Sequence, residues 1–439
     1  MSAEVLEPVQ DPTRKRPRYP LYNQTSITWC EHKPTHWHVK RLKYLAKINM
    51  GQSPGSEECN LEGLGLPFLQ GNAEFGREHP TATLHCATAR KRALPGDILL
   101  SVRAPVGALN VADQQYGIGR GLCAITPDQD LLNHRYGRYL LEVARVLLHA
   151  EATGSTYDAV DVERVQNLPC LVPTAPEQKA IAVFLDRETA KIDALVSKRE
   201  QLIALSEEKR AALITHAVTE GLNPTVPMKA SGNAAVAQVP SHWKVRRNRR
   251  VFREVDERSV TGLEELLTVS HITGVTPRSE KEVYMFLADS TEGYKVCRAG
   301  DLAINTMWAY MGAVGIAWQE GIVSPSYNVY RPREKGEYSP YYLDYLYRTP
   351  PYICEINRHS KGIWKSRLRL YPDAFFEMCT LTPPLEEQEL ILQYIERQCG
   401  LTDAFTGKLR DSIECLREYR TALISAAVTG KIDVRGQVA

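Results

Sequence analysis

The chain of 439 residues carries the same helix end twice: RAALITHAVTEG spans residues 210–221, and RTALISAAVTGK spans residues 420–431. The correspondence extends upstream at a constant offset of 210 residues, so that Gln178 aligns with Gln388. An ungapped register of this length indicates two helical segments of equal length. The repeat predicts a chain built twice on one plan, and a chain of this size is expected to form two or more domains.

A looser repeat precedes each helical segment. THWHVKRLKYL, from Thr35, corresponds to SHWKVRRNRRVF from Ser241, and PGDILLSVRAPVGA, from Pro95, corresponds to AGDLAINTMWAYMGA from Ala299. The offsets of these pairs are smaller than that of the helices, so the loops differ in length between the copies. Equal helices with variable globular parts indicate a constant scaffold that carries two distinct recognition domains.

Apolar residues in the repeated segments recur with alternating steps of four and three, the spacing of a coiled-coil seam. A helix of about forty residues, rising about 1.5 Å per residue, is near 60 Å long and buries too little by itself, so the other copy is the expected partner. The predicted core of this intramolecular coiled coil consists of Ile192, Leu195, Leu202, Leu213, Phe405, Leu409, Leu416 and Leu423.

Short apolar runs bounded by Gly and Pro, such as GDILLSV and GDLAIN, predict strands, whereas HRYGRYLLEVARVLLHA and PYYLDYLYR predict helices. The globular parts are therefore of mixed α/β (α+β) class. The predicted segments are a flexible basic tail at 1–34, a globular domain at 35–175, a helix at 176–221, a linker rich in Pro, Gly, Ala and Ser at 222–240, a second globular domain at 241–383, a second helix at 384–431 and a C-terminal tail at 432–439.

Ten scattered cysteines without a CxxC pair favour a reducing, cytoplasmic compartment and disfavour disulfides and a zinc ribbon. Cys30, His32, His36 and His38 lie close in sequence, but strand-like alternation and Pro34 disfavour a tetrahedral metal site. The polar N-terminus lacks the apolar region of a secretory signal, and no apolar run approaches the length of a membrane span.

No catalytic motif is evident. QYGIGRG, at residues 115–121, lacks the P-loop lysine and precedes the strand-like LCAITP, so it is expected to form a turn in a hairpin. TPPYI, from Thr349, resembles the NPPY motif of adenine methyltransferases without its Asn or Asp, and no glycine-rich S-adenosylmethionine loop precedes it. The chain is expected to be non-catalytic, with no cofactor or metal of its own.

A net charge of +2 is small for a nucleic-acid-binding protein, so positive charge must be local or come from partners. A single basic run is more often a solvated face, but recurrence in both globular parts favours phosphate contact. The candidate DNA-binding residues are Arg90, Lys91 and Arg92 in the first part, and Lys244, Arg246, Lys361, Trp364, Lys365 and Arg367 in the second. Further candidates for base or sugar contact are Gln52, Ser53, Tyr157, Arg278, Trp308 and Tyr327.

The segment PTAPEQKAIAVFLDRETAKIDALVSKREQLIALSEEKRAALITHAVTEGLNP resembles the central helical region of specificity subunits of type I restriction–modification systems. PPLEEQELILQYIERQCG to ISAAVTGKIDV is similar to the distal helical region of that family. GSTYDAVDVERVQNLPCLVP, TMWAYMGAVGIAWQEGIVSPSYNVYRP and GIWKSRLRL resemble its target-recognition domains. The resemblance covers roughly residues 35–433.

The resemblance implies two similar target-recognition domains, each recognising one half of a bipartite, asymmetric DNA target, and two helices that form an antiparallel coiled coil. It implies that this coiled coil sets the spacer between the half-sites and docks two modification (methyltransferase) subunits. Restriction subunits would add translocation and cleavage. S-adenosylmethionine, ATP and Mg are then expected on the partner subunits, which also explains the missing catalytic motifs.

Two other classes of function stay open from the residues alone. A stand-alone, two-headed DNA-binding regulator would need no partner surface on the helices. An adaptor that binds proteins through both globular parts is disfavoured by the paired basic stretches. Methyltransferase and translocase genes beside this one would distinguish a restriction–modification specificity subunit from both alternatives.

Overall fold

The structure is a computed structural model that describes residues 16–152, 159–280, 290–334, 336–364 and 367–437. It divides into two compact units: unit 1 comprises Met1–Arg199 and Arg410–Ala439, and unit 2 comprises Glu200–Leu409. Both division points fall inside long helices, so each long helix contributes to both units. None of the described helices has the length and hydropathy required to cross a membrane.

Unit 1 begins with strands and short helices and continues into the first long helix. Its strands are β1 (Tyr22–Ile27), β2 (Cys30–Pro34), β3 (His38–Arg41), β4 (Ala46–Met50), β5 (Cys59–Asn60), β6 (Leu66–Leu69), β7 (Leu84–Cys86), β8 (Arg92–Ala93), β9 (Ile98–Ser101), β10 (Leu109–Val111), β11 (Tyr116–Ile118), β12 (Leu122–Pro127) and β13 (Pro169–Val172). Its helices are α1 (His134–Ala152), α2 (Val162–Gln166) and the start of α3 (Ala175–Glu220).

Unit 2 repeats this order and continues into the second long helix. Its strands are β14 (Met228–Asn233), β15 (Val236–Pro240), β16 (Lys244–Arg247), β17 (Phe252–Val255), β18 (Leu267–Ser270), β19 (Gly274–Pro277), β20 (Lys295–Cys297), β21 (Leu302–Asn305), β22 (Val314–Ile316), β23 (Gly321–Val323), β24 (Tyr327–Pro332) and β25 (Cys379–Thr382). Its helices are α4 (Asn248–Val251), α5 (Pro340–Tyr347), α6 (Pro350–His359), α7 (Pro372–Glu377) and the start of α8 (Leu385–Val428).

The central sheet has the same topology in both units. The strand order is β10-β9-β12-β4 in unit 1 and β22-β21-β24-β17 in unit 2, and all neighbours are antiparallel. The runs GDILLSV and GDLAIN form the equivalent strands β9 and β21, and the two predicted helices are α1 and α5. The internal repeat and the mixed α/β class are therefore confirmed.

The second sheet differs between the units. In unit 1 five strands pair in the order β5-β7-β6-β11-β8, whereas in unit 2 the corresponding region forms the two-stranded pairs β18-β19 and β20-β23. The constant central sheet thus carries a variable neighbour, which agrees with loop lengths that differ between the copies.

Three segments predicted to be tails or a linker are parts of the cores. Residues 22–34 and 228–240 form equivalent hairpins, β1-β2 and β14-β15, and Ile27 and Val239 of these hairpins are buried. After α8, Ile432 and Val434 are fully buried in unit 1. The predictions of a flexible tail and of a linker were wrong for these hairpins. The predicted C-terminal tail likewise is not free, because Ile432 and Val434 belong to the core of unit 1.

The two long helices pair in antiparallel fashion within each unit. In unit 1 the first half of α3 packs against the end of α8, and the Asp193 carboxylate lies 3.2 Å from the Arg420 guanidinium. In unit 2 the end of α3 packs against the start of α8, and Arg210 lies 2.6 Å from Asp403. The predicted antiparallel pairing is therefore present in both units.

The buried face of these helices is displaced from the predicted seam. Ile192 and Leu423 are buried, and Leu213, Leu409 and Leu416 are half-buried. Leu195, Leu202 and Phe405 are exposed by 46%, 44% and 47%, so their assignment to the core was wrong. Thr406 and Ile413 are buried instead. Because a polar Thr occupies the seam, the true phase of the apolar repeat is hard to find from the sequence. The apolar residues that suggest a seam occupy the adjacent, solvent-facing position.

The repeated helix ends close the two cores. Gly430, which follows α8, has a φ of +72°, and a Cβ there would lie 3.2 Å from Trp37 of unit 1. Gly221, which follows α3, has a φ of +80°, and a Cβ there would lie 3.3 Å from Trp243 of unit 2. The left-handed backbone and the close Trp both favour glycine. The recurrence of AVT before glycine is thus explained by two equivalent contacts with a buried Trp.

The recurring Glu-Gln pair anchors the start of each long helix. The Gln178 side chain accepts a hydrogen bond from the Asn133 amide (2.8 Å) and donates to the Leu131 carbonyl (3.1 Å). Gln388 makes the same two contacts with the Ser339 amide and the Glu337 carbonyl. Each buried glutamine therefore links the start of its long helix to the loop before α1 or α5.

Glu177 caps the start of α3. Its carboxylate accepts hydrogen bonds from the Thr174 amide and hydroxyl at 3.2 and 2.8 Å, the geometry of a capping box, and lies 2.8 Å from His36 Nε2. Burial by itself raises the pKa of Glu177, but the bonds with His36 and Thr174 outweigh it and hold the pKa below the usual 4.5.

We expect Glu177→Gln to destabilise unit 1 at neutral pH by about 2 kcal/mol, the scale of a hydrogen bond to a charged group. Since the folded pKa is lowered, the stabilisation is complete above the unfolded value and is lost as the pH falls below about 4.5. The deficit of the variant should therefore shrink in acid, which urea unfolding at pH 7 and at pH 3.5 would measure. Glu387→Gln is the control for the threonine bonds, because Glu387 makes the equivalent contact with His242 at 2.7 Å, whereas Pro384 replaces Thr174 and has no hydroxyl. Its deficit should be smaller. An unchanged deficit at low pH would contradict the assignment.

Candidate nucleic-acid interface

A glycine-rich turn connects the two sheets of unit 1. QYGIGRG joins β11 to β12, which lie in different sheets, so the expectation of a hairpin turn was wrong. A Cβ on Gly121 would lie 2.7 Å from the Gln70 carbonyl oxygen, closer than such atoms can approach. The glycines therefore permit close backbone packing.

Three loops of unit 1 meet beside this turn. The Gln52 amide donates to the Ile118 carbonyl at 2.9 Å, and the Ile118 amide donates to the Lys91 carbonyl at 3.0 Å. Ser53 Oγ accepts a hydrogen bond from the Arg120 amide at 3.2 Å. Residues 51–53, 90–92 and 119–121 thus form one edge of unit 1, called edge 1, which brings five of the predicted DNA-binding residues together.

Edge 1 carries unpaired positive charge. Arg90, Lys91 and Arg92 are all exposed. Within the described part of the chain, neither Arg90 nor Lys91 is paired with a carboxylate, and Arg92 Nε donates to the Ala89 carbonyl at 3.3 Å. Gln52 is exposed beside them. Exposed cations next to an exposed amide suit a polyanion that also displays hydrogen-bonding groups.

The equivalent edge of unit 2 lies at the end of β21 and the start of β24. Asn305 Nδ2 donates to Tyr327 Oη at 3.0 Å, and the Trp308 amide donates to the Asn305 carbonyl at 3.0 Å. The His271 and Trp308 rings are nearly parallel, with centroids 6.2 Å apart. Residues 271–274, 305–312 and 324–327 form this edge, called edge 2.

Edge 2 combines aromatic groups with positive charge. Burial raises the pKa of the Tyr327 phenol, whereas the nearby Arg278 charge and the bond from Asn305 act to lower it. Arg348 Nη2 donates to the Ile272 carbonyl at 2.7 Å, beside the turn after β18, and Arg348 Nη1 lies 3.4 Å from Asp344. The predicted residues Trp308 and Tyr327 therefore share one edge, and the charge of the predicted residue Arg278 acts on Tyr327.

The basic loop after α6 is in part neutralised. Lys361 Nζ lies 3.0 Å from Asp373, so this lysine already has an anionic partner. Trp364 is 68% exposed, and its carbonyl accepts from the Arg367 amide at 2.8 Å. Arg367 is also exposed. Lys365 and, in the first part, Tyr157 lie outside the described residues.

Three arginines of the basic stretch at 244–253 form ion pairs within unit 2. Arg246 lies 2.6 Å from Glu337, and Arg247 and Arg249 both bind Glu377. Lys244 is exposed on β16, which pairs with β25 directly before α8. The prediction of Arg246 as a DNA-binding residue is therefore corrected: its charge is satisfied within the fold. Lys244 belongs to the same strand and not to edge 2.

The clustered Cys and His residues at 30–38 have separate structural contacts. Cys30 is buried, and its thiol donates to the His32 carbonyl at 3.1 Å. His36 binds Glu177, as described above, and His38 is exposed on β3. No group of three or more potential metal ligands occurs among the described residues.

Sequence reasoning missed several residues of the two edges. Gln70 donates to Ser53 Oγ at 3.2 Å, and Asn49 Nδ2 donates to the Arg92 carbonyl at 2.8 Å. Asn305 organises edge 2. The one available signal was position, because Asn305 ends a strand in the run GDLAIN just as Ser101 ends its counterpart.

Comparison with known proteins finds likenesses for the first half of the chain. Residues 34–204, less than half of the chain, match the family model described as type I restriction modification DNA specificity domain. This match covers the globular part of unit 1 and the first half of α3. A relative of this segment, the putative type I restriction enzyme MjaX specificity subunit of Methanocaldococcus jannaschii, is 35% identical over 185 residues. The alignment covers 42% of this chain, which spans 43% of that relative's length.

Among solved structures, one extends the likeness in fold to the second half of the chain. A chain from work on complex assembly and conformational transition of the type I R-M system covers 91% of this chain and 99% of its own length, with a TM-score of 0.60 and 16% identity. The crystal structure of the HsdS subunit from Thermoanaerobacter tengcongensis covers 91% and 98%, with a TM-score of 0.48 and 16% identity. The first of these likenesses shows that 91% of the chain, and not only residues 34–204, shares the fold of that structure.

Proposed function

We propose that this chain is the DNA sequence-specificity subunit of a type I restriction–modification complex, in which each unit recognises one half of a bipartite target. The observation that carries the proposal is the position of the two edges. In both units, loops with exposed polar or aromatic side chains gather at the corresponding end of the central sheet, and those of unit 1 also carry exposed cations. A shared scaffold with distinct loop chemistry suits the recognition of two different half-sites.

The side chains at the two edges favour an asymmetric target. Edge 1 offers Gln52, Ser53 and free basic groups, whereas edge 2 offers Trp308 and Tyr327 next to Arg278. Amide and hydroxyl groups can recognise base edges, and arginine and lysine neutralise phosphates. Because the two sets have little in common, we expect the two halves of the target to differ in sequence.

The outer faces of the long helices support docking of protein partners. In unit 2, Leu202, Leu205, Leu401 and Phe405 are exposed by 44–61%. A helix pair that served as a spacer alone would not need such residues on its solvent side. We propose that two methyltransferase subunits cover them, that restriction subunits join this complex, and that S-adenosylmethionine, ATP and Mg bind to these partners. The complex would then act on DNA in the cytoplasm, and this chain itself would be non-catalytic.

The proposed DNA contact predicts a specific salt dependence. In the assembled complex, Arg90→Ala with Lys91→Ala should lower the slope of log affinity against log salt by about two, because about one counterion is released per phosphate neutralised. At physiological salt this corresponds to a loss of about thirtyfold in affinity. Fluorescence anisotropy over a salt series measures both quantities, and footprinting should show weakened protection in one half-site.

A matched control removes two charges elsewhere. Arg247→Ala with Arg249→Ala changes the net charge equally, but both arginines bind Glu377 away from edge 2. This pair should leave the salt slope within experimental error of the wild type. The proposed contact would be refuted if the edge 1 variant bound with wild-type affinity and slope.

A further inference from the structure

The loops that follow the equivalent strands β9 and β21 differ in chemistry. After β9, the exposed residues are Arg103, Ala104 and Pro105, and Val106 is buried. After β21, three large apolar side chains are exposed within five residues: Met307 by 36%, Trp308 by 48% and Met311 by 39%. The first loop therefore presents one cation, whereas the second presents an apolar cluster.

The apolar cluster of edge 2 is held by the backbone. The Met311 amide donates to the Trp308 carbonyl at 2.9 Å, and the Ala313 amide donates to the same carbonyl at 3.2 Å. Thr306 Oγ1 donates to the Ser326 carbonyl at 2.7 Å, which ties the loop to the turn before β24. The cluster is thus pre-organised, so binding through it costs little additional conformational entropy.

One side of the cluster is supported and the rest is free. The His271 ring lies nearly parallel to the Trp308 ring, at an interplanar angle of 19°. Gly312 adopts a φ of +93°, and a Cβ there would lie 2.7 Å from Ile353 of α6, so the loop also rests on that helix. A braced indole that stays half exposed has the form of a wedge.

The position of this apolar cluster corresponds to that of edge 1. The loop is tied to the turn before β24, and β24 corresponds to β12, at whose start edge 1 carries exposed cations. Arg348 donates to the Ile272 carbonyl beside His271 and also lies 3.4 Å from Asp344, so its charge is already paired. Nucleic acid offers base faces against which aromatic groups stack. The equivalence with edge 1 therefore selects DNA as the occupant.

We propose that Trp308, flanked by Met307 and Met311, inserts as a wedge at a base-pair step of the half-site recognised by unit 2 and bends the DNA there. The described residues that form edge 1 include no aromatic side chain, so the proposal places the wedge in the unit 2 half-site. Apolar wedges of this kind partly unstack a step and kink the duplex by about 20–90°. Steps that unstack easily, such as TA and CA, are then favoured at that position. This inference rests on the proposed function, because it assumes that edge 2 faces DNA.

The test uses the complex purified through the full-length chain. Circularly permuted DNA fragments that carry the target should reveal, by gel mobility, a bend centred in the unit 2 half-site. That half-site is the one whose footprint the Arg90 and Lys91 changes leave intact. Trp308→Ala should abolish the bend and weaken binding about five- to a hundredfold, the scale of one stacked base. The salt slope should stay unchanged, since no phosphate contact is removed.

Two further variants test whether the effect of Trp308→Ala comes from misfolding. Trp308→Phe keeps an aromatic wedge and should restore most of the bend and the affinity. Trp318→Ala removes a similarly exposed tryptophan, which stacks on Tyr341 at 4.5 Å, and should leave DNA binding at the wild-type level.

The outcomes separate this inference from the proposed function. A wild-type complex that binds no specific DNA would refute the proposed function itself. Specific binding without a bend, a bend centred in the other half-site, or unchanged affinity of Trp308→Ala would overturn the wedge and leave the proposed function standing. Loss of a protein subunit from the Trp308→Ala complex, with DNA binding intact, would also overturn it and assign the cluster to a protein contact.

Discussion

Replacing Ile432 and Val434 by alanine should destabilise unit 1 by about 4 kcal/mol and leave unit 2 nearly unchanged. Both side chains are fully buried in the core that contains Trp37, although they lie close to the opposite end of the sequence. Each truncation removes buried methyl groups and leaves a cavity in a closely packed interior. Amide hydrogen exchange measures the effect, because protection should fall for residues 16–199 and persist in the head of unit 2.

The control for this experiment is Val260→Ala with Leu263→Ala. These two residues are 86% and 88% exposed in unit 2, so their truncation should change the stability of either unit by less than about 0.5 kcal/mol. Equal loss of protection in both units after the C-terminal change would contradict the assignment of these residues to unit 1 alone.

Inserting seven residues into each long helix should lengthen the preferred gap between the half-sites by about three base pairs. One heptad adds about 10 Å of helix, and B-DNA rises about 3.4 Å per base pair. Arg210 of α3 pairs with Asp403 of α8, so Ser206 faces the position four residues further along α8, at Gly407. Insertions after Ser206 and Gly407 therefore keep the antiparallel partners in phase.

The expected loss at the original gap is large. Misplacing one half-site removes its specific contacts, and the difference between specific and non-specific binding is about a thousandfold or more. Binding selection from a library of half-sites with variable gaps would identify the new optimum. An insertion in α3 alone mismatches the seam and should weaken specific binding at every gap. If the doubly extended chain still preferred the original gap, the length of the helices would not set the gap between the half-sites.

Local patterns predicted the elements of each unit well. The strands β9 and β21 and the helices α1 and α5 were predicted from apolar runs and helical spacing, and the long helices from the repeat. The hairpins at 22–34 and 228–240 were missed, since small and polar residues cover much of each and a lone hairpin is marginal in water. Packing against the rest of the unit makes them stable.

The DNA-binding residues stay a prediction, and the structure shows where they lie. Gln52 and Lys91, which were chosen by residue type, lie at edge 1, and Trp308 and Tyr327 lie at edge 2. Arg246 was chosen by the same criterion and is instead bound to Glu337, about ninety residues away. Side-chain type indicates what a residue can bind, but it does not indicate which partner the residue contacts in the folded chain.

The sequence by itself determined that the chain has two similar halves, each with a mixed sheet and helix head and a share of two long helices. These features follow from local periodicity and from the repeat, which need no knowledge of distant contacts. Only the tertiary structure decided which helix face is buried, which arginines form ion pairs and which core contains the C-terminal segment. Thr406 lies in the seam in place of Phe405, and Ile432 completes the core around Trp37, because burial depends on contacts between residues far apart in sequence.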